Sequence, residues 1–316
     1  MIPIFFVHIP KTAGTSFRKA TENCFGSDQV LYDYLPSSAE TSALVHQAVY
    51  EEQDLFGFYH TLCREDISFL SGHVHANKYV HLFGVSRTVT FVRDPVQRVV
   101  SEYQHFVRHN SYEGDLPSFY RKPQFINRQS KMLQGMPLEA IGLLGLNEAY
   151  DKSLAMFNQR YELDVQSVDM NMGRTDKADN YALPDDQLDE INTLNEEDIR
   201  LYKRAARLFE QRQALFDNGK RYVHGAIQQV SAKSISGWAW HADDSAAPVV
   251  LDIYVTGKKI DTVESKELRP GLLRLGLPRS GYVGFHVNFV KPLPKGSVVE
   301  VFVPETGQLL GKKRIQ

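Results

Sequence analysis

The feature that most constrains this chain is the run Ile4-Phe5-Phe6-Val7-His8-Ile9, closed by Pro10 and followed by the small polar stretch Lys11-Thr12-Ala13-Gly14-Thr15-Ser16, after which Phe17 to Asn23 resumes as helix. A short unbroken apolar run bounded by a breaker is the pattern of a strand buried on both faces of a parallel sheet. Small side chains let a ligand approach the backbone, and the hydroxyls and Lys11 add donors and charge. All of this stands at a helix N-terminus, where unpaired N–H groups and the helix dipole favour an anion. An ordinary strand-turn-helix is the plainer alternative.

The order of residues excludes the nucleoside-triphosphate loop G-x-x-x-x-G-K-[ST]: here lysine opens the loop rather than ending it. Pro10 to Ser16, directly after a strand, instead resembles the 5′-phosphosulfate loop of sulfotransferases that use 3′-phosphoadenosine 5′-phosphosulfate (PAPS).

At 316 residues, 23% charged and 42% hydrophobic, the chain suits a soluble globular protein with one large α/β domain and a smaller one. A net charge of −2 supplies no basic field, so nucleic acid is not expected as the main partner. Cys24 and Cys63 form no C-x-x-C pair, and two buried free thiols in a reducing compartment are expected. No apolar run of 18 residues is present to span a membrane, and with the first strand so near Met1 no signal peptide is expected. A cytoplasmic, bacterial-type protein is expected; a lumenal domain trimmed of its anchor is the alternative.

Helix is expected within residues 39–53. Farther on, an apolar strand ends in Gly72-His73-Val74-His75. An imidazole at the carboxyl end of a strand sits where ligands bind in open α/β sheets and can accept a hydroxyl proton. His73 and His75 are also open to readings as metal ligands or as structural residues, although no neighbouring Cys, Asp or Glu completes a ligand set.

Thr88 to Val92 reads as a strand, with Asp94 as N-cap, Pro95 at the first helical position and Gln97 closing a capping box. Val96, Val99, Val100 and Tyr103 share the inward face; Arg98, Ser101 and His105 fall on another. A guanidinium with a hydroxyl suits a second phosphate. Arg93-Asp94-Pro95, Arg98, Ser101 and Tyr103 together resemble the sulfotransferase segment that holds the 3′-phosphate, which implies that role for Arg93 and Ser101. Asn127-Arg128-Gln129 with Lys131-Met132-Leu133 resembles a segment of the heparan-sulfate-type carbohydrate sulfotransferases, and residues 191–202 resemble the late helices of the 6-O-sulfotransferases. The likeness spans roughly residues 1–216. Gly145-Leu146-Asn147-Glu148 departs from the family's Gly-x-Thr-Glu.

Residues 139–160 and 185–216 carry helical periodicity, with Asn195 and Asp198 as caps of the last long helix. Past Gly219 the texture changes to alternation at Val249, Leu251, Ile253 and Val255, at Phe285, Val287 and Phe289, and at Val299, Val301 and Val303, which reads as a small antiparallel sandwich. Gly237-Trp238-Ala239, Arg269-Pro270-Gly271 and Gly284-Phe285 resemble an accessory β-domain of bacterial glycan-synthesis enzymes.

The expected architecture is therefore α/β: a P-loop-like parallel sheet flanked by helices (the sulfotransferase fold, residues 1–222) plus an all-β sandwich (225–316). The resemblance implies in-line sulfuryl transfer from PAPS to a carbohydrate hydroxyl, leaving 3′-phosphoadenosine 5′-phosphate (PAP), without a metal. Lys11, Thr12, Ala13, Gly14, Thr15 and Ser16 would hold the 5′-phosphosulfate, Arg93 and Ser101 the 3′-phosphate, and His73 or His75 would act as base. A glycan-binding scaffold and a kinase-like phosphotransferase are the alternatives. The oligomeric state is not fixed by the sequence.

Overall fold

The computed structural model describes residues 2–168, 181–243 and 245–316, in two compact units. The first comprises residues 1–79, 88–136 and 143–209; the second comprises 80–87, 137–142 and 210–316.

The first unit carries strands β1 (Ile4–Val7), β2 (Val30–Asp33), β3 (Phe69–Gly72), β4 (Thr88–Val92) and β5 (Leu143–Leu146). They form one parallel sheet in the order β2-β3-β1-β4-β5. The helical segments along the chain are α1 (Gly14–Phe25), α2 (Ala43–Val45), α3 (Leu55–Arg64), α4 (Val80–Phe83), α5 (Pro95–His109), α6 (Leu116–Tyr120), α7 (Arg128–Met132), α8 (Tyr150–Tyr161), α9 (Asp185–Leu194) and α10 (Glu196–Asp217), of which α4 and the last residues of α10 count with the second unit.

Every β1 residue is fully buried, as its unbroken apolar run requires. On one face Phe6, Phe69 and Phe91 pack with Phe17 of α1, which also meets Phe157 of α8. On the other, Phe5 meets Tyr79, which packs against Phe58 of α3. Each buried ring contributes about 1.5–3 kcal/mol, so β1 is the strand the unit can least lose.

Several local expectations give way to tertiary contacts. Residues 139–160 are not one helix: the run Leu143-Leu144-Gly145-Leu146 is fully buried strand, because Gly145 lies against Phe91 and Ser153 where a Cβ would not fit. The helix expected within residues 39–53 is α2 continued by a π-helical turn over His46–Glu51. Asp94 does cap α5, accepting from the Gln97 amide at 3.0 Å. The Gln97 side chain, however, bonds both backbone groups of Tyr181, and the Asp94 amide is met by Glu148. Asn195 and Asp198 are buried at the start of α10, where the Asn195 carbonyl accepts from the Ile199 amide, and their side chains also serve α7. Asn195 accepts from the Asn127 amide, and the Asp198 carboxylate accepts from the Gln129 and Ser130 amides and the Ser130 hydroxyl. Five residues make too short a helix to stand alone, and a buried acid at its start supplies what local bonding lacks. Both cysteines are exposed rather than buried, since α1 and α3 each turn them to the polar side.

The second unit holds β6 (Val223–Val230), β7 (Ser234–His241), β8 (Val250–Val255), β9 (Lys258–Glu264), β10 (Glu267–Leu268), β11 (Tyr282–Asn288), β12 (Val298–Val303) and β13 (Gln308–Arg314). These make two four-stranded antiparallel sheets, β10-β11-β7-β6 and β13-β12-β8-β9. Their alternating residues share one core that includes Ile235, Leu251, Ile253, Phe285, Val299 and Val301. Trp238 and Trp240 are buried and stacked on each other, so they are core. The Arg269 guanidinium donates to the Gly237 and Phe285 carbonyls, and its Nε would lie 2.3 Å from a Cβ on Gly284. The glycine-tryptophan, arginine-proline and glycine-phenylalanine signatures are thus parts of one packing unit.

Candidate active site

The parallel register sets the site. Asp33, Gly72 and Val7 lie side by side across β2, β3 and β1, so the next residues, Tyr34, His73 and His8, form a row at the carboxyl edge of the sheet. The His8 amide donates to the Gly72 carbonyl at 2.9 Å and the His73 amide to that of Asp33 at 3.1 Å. Ring centroids are 4.5 Å apart for Tyr34 and His73 and 4.3 Å for His73 and His8, close to the strand spacing itself.

The loop from β1 to α1 borders this row. Lys11 (φ 68°) and Ala13 (φ 69°) both adopt the left-handed conformation, a strain of about 1–3 kcal/mol each that is typical of functional loops. No side chain caps α1, whereas Asp54, Asp94 and Asp115 cap α3, α5 and α6. The amides of Gly14, Thr15 and Ser16 thus open the helix without an acidic side chain of the protein on them. Thr12 is fully buried and its hydroxyl donates to the Ile9 carbonyl at 2.8 Å, bracing the loop. Gly14 has a steric reason: a Cβ there would stand 2.0 Å from the His8 ring.

Arg93 joins this loop. Its guanidinium donates to the Lys11 carbonyl at 3.2 Å, across 82 residues of sequence. Its main chain is clamped by fully buried Gln129, whose amide group accepts from the Arg93 N–H and donates to the Arg93 carbonyl, both at 2.9 Å. Ser101 lies two turns into α5, about 9 Å along the axis, half-buried. Arg98 is not on a ligand-facing surface: it is fully buried, paired with Glu102 at 2.5 Å and bonded to the Phe125 carbonyl. Glu102 also pairs with half-buried Arg128.

His73 is half-buried with its Nε2 buried and unbonded, whereas His75 is exposed and its carbonyl starts the turn Ala76–Lys78. The structure brings Lys11, Gly14, Arg93 and His73 to one sheet edge and leaves His75 on the surface.

Charges on this edge are mostly positive. Burial, then Arg128, Arg18 and His105, push His73 down to about 3. Burial, then His73, Arg18 and Lys11, hold His8 well below the usual histidine range. Burial and Arg93 lower the Lys11 ammonium, which meets no carboxylate at ion-pair distance among the described residues. Such a site gains by taking up an anion.

Residues 2–137 match the model of the Sulfotransferase family. The matched region contains β1 to β4, the loop, Arg93 and Gln129, so the likeness to that family covers four of the five parallel strands, and sulfuryl transfer is the class of chemistry this match supports. No curated protein matches the chain. Among the described residues no group of three or more His, Cys, Asp or Glu is placed to hold a metal, and no helix is long and apolar enough to cross a membrane.

Sequence reasoning singled out the loop, Arg93 and the histidine pair but missed His8, Tyr34 and the tether of Arg128. The missed signal was positional: His8, Tyr34 and His73 are each the first residue beyond a parallel strand.

Proposed function

We propose that this protein transfers a sulfuryl group from PAPS to a hydroxyl of a carbohydrate acceptor, with His73 as the general base. The observation that carries this is the Arg93–Lys11 contact, which brings together at one sheet edge two stretches, distant in sequence, that we read as anion-binding. The residues fit the donor: an uncapped helix start, a glycine where a side chain would clash, and a lysine without a carboxylate partner.

Lys11 and the N–H groups of Gly14, Thr15 and Ser16 would hold the 5′-phosphosulfate, with Thr12 and Ala13 shaping the loop around it. Arg93 and Ser101 would hold the 3′-phosphate. The donor supplies an activated sulfuryl group on a phosphate leaving group. Lys11 and the helix amides stabilise the charge that develops there. His73 takes the acceptor's proton at Nε2, the atom without a hydrogen-bond partner. Burial depresses His73 most, and an anion in the loop offsets the positive charges of Arg128, Arg18 and His105 that add to it, which raises the basicity of His73.

A thermal-shift titration tests the donor site. PAP should stabilise the protein more than ADP, which lacks the 3′-phosphate, and Arg93→Ala should erase the difference. Equal stabilisation by both would point to a general nucleotide enzyme, and none by either to a binding protein. His73→Ala should lower turnover by about 10²–10⁴ with PAP affinity kept.

A further inference from the structure

His8 is the only imidazole besides His73 in the row at the sheet edge, and no role in the proposed chemistry uses it. Its ring is 5% exposed and enclosed on every side. Phe6 stacks on it at 5.3 Å, His73 meets it edge-on at 4.3 Å, and Gly14 lies against its Cδ2 and Nε2. Nδ1 stands 2.9 Å from the Tyr34 hydroxyl. Tyr34 is itself fixed: its amide donates to the Thr41 hydroxyl at 3.0 Å and the Arg18 guanidinium lies 5.5 Å from its ring centre.

We propose that His8, oriented by Tyr34, is the positioning residue of His73: the two rings form a wedge that fixes the His73 imidazole and shields it from water beside the α1 loop. This rests on the proposed role of His73 as base. The phenolic proton has a good acceptor in His8 Nδ1, while the Ser71 hydroxyl, at 3.5 Å, is at the limit of bonding. Donation to Nδ1 places the His8 proton on Nε2, the nitrogen over Gly14. One tautomer of His8 is thereby selected, and its ring presents a constant face to His73.

The groups that face His73 are His8 at the end of β1, Tyr34 at the end of β2, Arg18 on α1, Arg128 on α7 and His105 on α5. Arg18, Arg128 and His105 act on its charge, whereas His8 and Tyr34 act on its orientation and hydration. Removing the His8 ring opens the space beside His73 to solvent, which favours the imidazolium.

The test is histidine-detected NMR on the full chain, with the His73 signal assigned from His73→Asn. His8→Ala should raise the His73 titration midpoint by about one pH unit or more, while His8→Phe, which keeps a ring there, should leave it low. Tyr34→Phe should turn the His8 nitrogen shifts from one tautomer to a mixture. In turnover assays His8→Ala should lower kcat with PAP affinity within about twofold. An unchanged His73 midpoint in His8→Ala, or an unchanged His8 tautomer in Tyr34→Phe, overturns the proposal. Should His8→Ala not fold, the Tyr34→Phe tautomer readout decides. Full turnover by His73→Ala would refute the base assignment instead, and the NMR readouts would still judge the wedge separately.

Discussion

Glu102→Ala is the substitution whose cost the structure defines best. Glu102 is 2% exposed and holds two guanidiniums, one of them on Arg98, which has no exposure at all. Without the carboxylate, Arg98 keeps one acceptor, the Phe125 carbonyl, and its Nε already lacks one. Breaking a buried ion pair from one side costs about 3–5 kcal/mol, since the remaining charge is stranded in a medium that solvates it poorly. For a cooperative unit of this size that is a fall in Tm of roughly 6–20 °C. Scanning calorimetry and urea unfolding of Glu102→Ala would measure it. The double variant Glu102→Leu with Arg98→Met should recover much of the loss, because two well-packed apolar side chains need no partner. A Glu102→Ala protein within about 1 kcal/mol of the parent would refute the reasoning, as would a double variant no better than the single one.

Gly14→Ala puts a methyl 2.0 Å from the His8 ring, so the protein should lose about 1–3 kcal/mol in urea unfolding, and PAP binding should weaken with it. Asp198→Ala strips two backbone amides of α7 of their acceptor; a loss of about 2–4 kcal/mol is expected, with a weaker PAP response because Gln129 and hence Arg93 lose their support. Both His8 and His73 titrate below the unfolded value of about 6.5, so the unfolded chain binds protons that the folded chain refuses. Their contribution is intact above about pH 6.5 and is lost as pH falls through their lowered folded-state range, which for His73 reaches about 3, by up to about 1.4 kcal/mol per pH unit for each residue. Urea midpoints at pH 7.5 and 5.5 should therefore differ more in the parent than in His73→Asn, and equal differences would contradict the assignment.

Strand β1, its loop and α1 were legible because each is specified by neighbours in sequence: an apolar run, a breaker, and small residues before a helix. The Asp94 cap was legible for the same reason. Its partner Gln97 was not, because an amide side chain bonds whichever backbone groups lie nearest, and here these are at Tyr181. Strand β5 was hidden inside a helical period because five or six apolar residues fit either pattern, and only burial against Phe91 and Ser153 decides. That the side chains of Asn195 and Asp198 also serve α7 was not legible, since α7 approaches them from some 70 residues away.

By itself the sequence determined that a buried strand feeds an open helix start, that Arg93 follows a second such strand, and that an alternating region follows the α/β part. These depend on local spacing and on which side chains water rejects. Tertiary structure alone decided that Arg93 reaches the Lys11 carbonyl, that His73 is half-buried at the sheet edge while His75 faces solvent, and that His8 and Tyr34 stand beside His73. Parallel strands far apart in sequence come into register only when their shared faces are buried together, and the row of residues just beyond their ends exists only once that has happened.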